Sequence, residues 1–135
     1  MFPRYLITGG SGFLGCHLAA ELLKRGNEVR VIDPIPFEEP GIKNQVQYLA
    51  GDIRNAAALE KAMDRVDIVI HAAAALPLAS PVDIFSVNVA GTQQVFKVAE
   101  EKRVQRVVFI SSTAVYGVPK KHPILEDDPK IGVGP

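Results

Sequence analysis

The stretch Thr8-Gly9-Gly10-Ser11-Gly12-Phe13-Leu14-Gly15 constrains this chain more than any other, because of what flanks it. Before it runs Arg4-Tyr5-Leu6-Ile7-Thr8, a short apolar run stopped by glycine, which predicts a buried strand. After it, Phe13, Leu14, His17, Leu18, Glu21 and Leu22 recur at three- and four-residue spacing, which predicts a helix with an apolar stripe ending at Gly26. Strand, glycine-rich turn and helix in direct succession form the context in which such a turn cradles phosphates.

The alternation continues along the chain. Further strands are predicted at Glu28–Asp33, Val46–Ala50, Asp67–His71 and Arg106–Ile110. A short helix is predicted near Asn55–Met63, and a longer one from Pro81 to Lys102 with Val87, Ala90, Val95, Val98 and Ala99 on its buried side. Pro34, Pro36, Pro40 and Gly41 break the chain into a loop, and Pro119, Pro123 and Pro129 predict irregular structure towards the end. Val- and Ile-rich strands alternating with helices predict an α/β fold, a doubly wound parallel sheet of the Rossmann type with strand order 3-2-1-4-5. At 135 residues the chain suits one domain, residues 1–135.

Composition removes several function classes. The formal net charge is zero, and Lys24-Arg25 and Lys120-Lys121 are isolated doublets, so no basic patch suits nucleic acid. No apolar run reaches the length of about 18 residues that a membrane helix needs. Cys16 is the only cysteine, which excludes an intrachain disulfide and makes a reducing, cytoplasmic setting the default expectation. No histidine or carboxylate stands beside His71 at ligand spacing, so no metal site is expected; His71 itself reads as a strand-end histidine held by a hydrogen bond.

The glycine-rich stretch calls for three things: a tight turn, a position without a side chain where a pyrophosphate meets the backbone, and a small residue where helix packs on strand. Gly9 or Gly10, then Gly12, then Gly15 can fill these roles, with Phe13 and Leu14 opening the helix whose N-terminus faces the phosphates. Asp33 closes the second strand 24 positions after Gly9, near the offset at which a carboxylate reaches the ribose hydroxyls of NAD. It would repel the additional phosphate of NADP, and no arginine directly follows it, so NAD is the expected cofactor.

Four further marks follow in order: Gly51-Asp52-Ile53-Arg54, His71-Ala72-Ala73-Ala74, Val87-Asn88-Val89-Ala90-Gly91-Thr92 and Ser111-Ser112-Thr113-Ala114-Val115-Tyr116-Gly117. With these the sequence resembles the extended short-chain dehydrogenase/reductases, the NAD-dependent epimerases and dehydratases that act largely on nucleotide sugars. The resemblance implies that Asp52 and Ile53 meet the adenine. It implies that Ala72, Ala73 and Ala74 pass along the cofactor, with Asn88 and Ser111 near it. It also implies that Ser112, with Thr113 as the neighbouring candidate, bonds the substrate oxygen that gains or loses hydride.

The resembled enzymes also use a Tyr-x-x-x-Lys pair, and counting from Ser112 puts that Tyr just past Pro135. The chain is therefore expected to stop short of the pair, of the last strands and of a smaller substrate domain. Tyr116 and Lys120 match the bare pattern, but Gly117 and Pro119 oppose a helix there. The expected function is the NAD-binding portion of an epimerase/dehydratase-type oxidoreductase with a small-molecule substrate, and the resemblance implies a homodimer. Alternatives are a non-catalytic NAD-binding fragment or sensor, and a reductase or dehydrogenase of another alcohol such as a sterol. The apolar loop Ala75-Leu76-Pro77-Leu78-Ala79 keeps the last open.

Overall fold

In a computed structural model, which describes residues 3–76 and 78–132, five parallel strands form one sheet in the order β3-β2-β1-β4-β5. The strands are β1 (Arg4–Thr8), β2 (Glu28–Asp33), β3 (Gln47–Ala50), β4 (Ile68–His71) and β5 (Arg106–Phe109). This is the predicted order. The chain crosses from β3 back over the sheet to β4 beside β1, so the carboxyl ends of β1 and its neighbours open into a crevice at the point where the winding reverses.

Helix α1 (Phe13–Lys24) follows β1 directly. It ends where Gly26 takes φ +81°, with the Gly26 N–H donating to Leu23 O at 2.9 Å and the Asn27 N–H to Leu22 O at 3.1 Å. Those two bonds satisfy carbonyls the last turn would leave bare, and the left-handed conformation suits glycine. Helix α2 (Ala56–Ala62) is capped by Asn55, whose Oδ1 accepts the Ala58 N–H at 3.1 Å. At its other end the Arg30 guanidinium, buried under the sheet, donates to Ala62 O at 2.6 Å and Asp64 O at 2.9 Å.

The predicted long helix is helical from Pro81 to Glu101 but not uniform. Helix α3 (Pro81–Phe85) passes into a π-helical segment, Ser86–Gly91, before α4 (Thr92–Glu101). The wider π turn moves the buried face one residue along the chain. Ala90, expected inside, is exposed, and Gly91 is buried in its place against Ile53. Val95, Val98 and Ala99 are buried as predicted. A 3-10 turn, Thr113–Tyr116, follows β5. Tyr116 and Lys120 share no helix, because Gly117 turns the chain with φ +66°.

Three strands are shorter than predicted by one residue: Val46, Asp67 and Ile110 lie just outside β3, β4 and β5. Val46 is nevertheless buried. Alternate residues of the strands feed two apolar layers. Leu6, Ile32 and Val69 join α2 and α4 on one face; Ile7, Val31 and Ile70 join α1 on the other. Phe37, from the proline-rich loop, fills the second layer. Among the described residues no helix is long and apolar enough to cross a membrane.

Candidate cofactor site

An open cleft of about 670 Å³ lies at the carboxyl ends of β1, β2, β3 and β4. Gly9, Gly12, Phe13, Leu14 and Gly15 line it from the first turn, Asp33 from β2, Asp52 and Ile53 from the segment after β3, and Ala72, Ala73 and Ala74 from the loop after β4. Segments far apart in sequence therefore converge on one concave surface.

The glycines differ in what a side chain would meet: a Cβ on Gly10 would stand 2.4 Å from Val31 Cγ1, so Gly10 packs on β2. Gly9 makes the turn at φ +68°, and a Cβ on it would stand 2.7 Å from Ala73 Cα. Gly15 lets α1 touch the turn, since a Cβ there would lie 2.5 Å from Gly10 Cα. Gly12 differs, because a Cβ on it would meet nothing nearer than Gly9 O at 3.3 Å. Gly12 also leaves α1 without a side-chain cap, and the first turn holds no acidic residue. Helix N–H groups and the positive end of the helix dipole are thus left for an anion. Such a cradle fits a pyrophosphate. Phe13 is 85% exposed, so its aromatic ring stands out from the helix start.

Asp33 is only 7% exposed, and both its carboxylate oxygens accept from the backbone. One carboxylate oxygen accepts the Ser11 N–H at 3.1 Å, the other the Ile35 N–H at 2.9 Å. Each oxygen keeps a second lone pair for a ligand hydroxyl. Asp52 is clasped by Arg54, with Oδ2 at 2.6 Å from Nη2 and Oδ1 at 3.0 Å from Nε. The Arg54 hydrogen bonds hold the Asp52 carboxyl below its ordinary range. Arg54 also donates to Ser86 Oγ at 2.9 Å, joining this segment to the π-helical turn.

Asn88 lies beside the cleft rather than in its lining. Its Oδ1 accepts the Ala75 N–H at 2.7 Å, and its Nδ2 donates to Ala75 O at 3.3 Å, so it holds the loop that lines the cleft. Ser111, Ser112 and Thr113 are also outside the lining. They leave the sheet next to Ala72, because the Ile110 N–H donates to His71 O at 3.0 Å. Ser112 Oγ accepts the Ala114 N–H at 3.2 Å and caps the 3-10 turn. Ser11, Ile35, Arg54, Leu76 and Val87 also line the cleft, beyond the candidate site residues of the sequence. Ser11, Arg54 and Val87 sit inside the sequence motifs and Leu76 inside the apolar loop; Ile35 carries no chemical signal of its own.

A parallel sheet with a glycine cradle at its switch point and an acid closing β2 defines a dinucleotide-binding domain. The sequence profile described as the NAD dependent epimerase/dehydratase family matches residues 5–135, and the chain belongs to that family. It is 35% identical to the UDP-glucose 4-epimerase of Halalkalibacterium halodurans over 136 aligned positions, covering 96% of this chain and 41% of that protein. It is 36% identical to a 3-beta-hydroxysteroid dehydrogenase of Mycolicibacterium neoaurum, covering 83% of this chain and 32% of that one. Among solved structures, the Bifidobacterium longum UDP-glucose 4-epimerase in complex with NAD+ and UDP superposes with a TM-score of 0.84 at 32% identity, covering 96% of this chain and 43% of that one. The chain spans about two fifths of the length of the UDP-glucose 4-epimerases it matches.

Proposed function

We propose that residues 1–135 are the dinucleotide-binding domain of an NAD-dependent oxidoreductase of the sugar-nucleotide epimerase/dehydratase type. The observation that carries this reading is the pairing, across one cleft, of the open Gly12 position with the Asp33 carboxylate. In this reading the N–H groups at the start of α1 hold the pyrophosphate, and Asp33 accepts from the adenosine ribose hydroxyls. Asp52 and Ile53 flank the adenine, and Ala72–Ala74 border the path towards the nicotinamide. Ser111 stands at its far end, and the Ser112 hydroxyl, with Thr113 adjacent, bonds the reacting oxygen of the substrate. Bound NAD supplies the hydride acceptor for oxidation of a substrate hydroxyl.

The proposed substrate is a nucleotide sugar, supported by the epimerase relatives. A sterol-type alcohol is the second reading, supported by the hydroxysteroid dehydrogenase relative and by Leu76, which lines the cleft with its side chain exposed. The proposed partner is a second copy of the chain. Val82, Phe85, Val89 and Phe96 all lie exposed along the run from α3 to α4. A reducing cytoplasm suits the single free Cys16.

The test is calorimetric titration of this chain with NAD and, separately, with NADP. Saturable NAD binding with NADP at least about tenfold weaker is expected, a gap of roughly 1.4 kcal/mol. A folded sample that binds neither would overturn the assignment. Turnover by the whole protein of UDP-sugars against 3-beta-hydroxysteroids separates the two substrate readings.

A further inference from the structure

Thr8 and His71 are both fully buried and face each other on adjacent strands, 63 positions apart in the chain. Thr8 Oγ1 lies 2.7 Å from His71 Nδ1, and His71 Nε2 lies 2.8 Å from Thr92 Oγ1. The Ala73 N–H donates to the same Thr8 oxygen at 3.2 Å, while the Ala72 N–H donates to the Thr8 carbonyl at 3.2 Å.

The direction of these bonds follows from counting donors. With Ala73 N–H already donating into Oγ1, the Thr8 hydroxyl hydrogen has His71 Nδ1 as its acceptor. Nδ1 is then bare, and the ring's one hydrogen sits on Nε2 and donates to Thr92 Oγ1. The opposite tautomer would leave the buried Thr8 hydroxyl hydrogen without an acceptor. Burial supports a neutral ring, pushing the His71 pKa down to about 4. Phe109 stacks on the imidazole with ring centres 5.4 Å apart, which restricts the ring further.

The consequence lies at the cleft. Ala73 is the residue that a Cβ on Gly9 would strike, so its backbone presses directly on the glycine-rich turn. The same loop is held two residues later, at Ala75, by Asn88, one turn before Thr92. The circuit Ala73, Thr8, His71, Thr92, Asn88, Ala75 therefore closes on itself through the junction of the π-helical segment and α4.

We propose that His71 is a positioning residue: through Thr8 it sets the seat of the Ala72–Ala75 loop against Gly9, and through Thr92 it ties that seat to the helix carrying Asn88. Its bearing on cofactor affinity rests on the dinucleotide reading given above; its bearing on the loop does not. His71 touches no ligand in this role.

The test uses the whole 135-residue chain and two readouts, amide hydrogen exchange at Ala73 and NAD affinity by calorimetry. Thr8→Val and His71→Phe are expected to speed Ala73 exchange and to weaken NAD binding, each by roughly tenfold, as for loss of a buried hydrogen bond. His71→Asn keeps an acceptor near the Nδ1 position and is expected to restore both to within about threefold, a rescue that space-filling alone would not give. In the unmutated chain, nitrogen NMR should show Nδ1 unprotonated and Nε2 protonated. A folded His71→Phe variant with unchanged Ala73 exchange overturns the proposal, as does a protonated Nδ1, which can be read even where a variant fails to fold. Absence of NAD binding by the unmutated chain, with the exchange pattern as expected, defeats the dinucleotide reading and leaves the positioning role standing.

Discussion

The Asp33 carboxylate accepts the Ser11 N–H at 3.1 Å, so the last residue of β2 fastens the glycine-rich turn that follows β1. An acid at this place shapes the turn, and in the proposed reading it also faces the ribose of the cofactor. Asp33→Ala is expected to narrow the preference for NAD over NADP to within about threefold. It is also expected to cost roughly 1–3 kcal/mol of stability, because two backbone donors lose their acceptor. Paired titrations and urea unfolding check both parts, and a variant with unaltered preference would remove Asp33 from the ribose site.

Gly12 and Gly9 should respond in opposite ways to a side chain. Gly12→Val places its Cβ 3.3 Å from Gly9 O, a contact that a shift of a few tenths of an ångström relieves, and sends its methyls towards the cleft, so it is expected to abolish measurable NAD binding while shifting Tm by only a few degrees. Gly9→Ala meets Ala73 Cα at 2.7 Å from a left-handed backbone, so it is expected to lower Tm markedly. Calorimetry beside thermal melts reads the contrast directly. Tight NAD binding by the valine variant would contradict the cradle.

Acid should loosen the fold through His71. Its ordinary pKa is 6.5, and burial takes it to about 4 in the folded chain. Between those values the unfolded chain takes up a proton that the folded chain refuses. The stability contribution is therefore complete above pH 6.5 and lost as pH falls towards 4. The loss is at most roughly 3 kcal/mol. Urea unfolding across this range should show the decline, and His71→Asn, which does not titrate, should flatten it.

Asn88→Ala frees the Ala75 amide and carbonyl together. A cost of about 1–2 kcal/mol and a several-fold fall in NAD affinity are expected, since the loop loses one of its two anchors. Proteolysis at the 72–79 loop should quicken in step. Equal cleavage rates in the two proteins would show that Asn88 does not restrain it.

The alternation of apolar runs with helix-period stretches made the five strands and their order legible before any coordinates, because parallel sheets covered on both faces need continuous Val- and Ile-rich strands. That the glycines and Asp33 converge on one cleft is legible because the glycines mark where the backbone turns between β1 and α1 and Asp33 closes the neighbouring strand. The π-helical segment is not, since nothing in Ser86–Gly91 distinguishes a wider turn from an α-helical one, and a uniform α-helical period puts Ala90 inside. Of the Thr8–His71–Thr92 chain only the hydrogen-bonded strand-end histidine is legible in the sequence, because Thr8 reaches it by pairing of β1 with β4 and Thr92 by packing of α4 on the sheet. The clasp of Asp52 by Arg54 was half visible, as an acid and a base two residues apart in a motif already noticed.

The two apolar layers on opposite faces of the sheet bear on how substitutions combine. Leu6 and Ile7 are neighbours in the chain yet belong to different cores, whereas Leu6 and Val98 share one. Energetic independence should therefore follow face rather than sequence: truncations at Leu6 and Ile7 should add, while those at Leu6 and Val98 should couple through shared room to relax. Divergence in such a chain can proceed on one face while the other stays fixed, with the strands as the only common constraint.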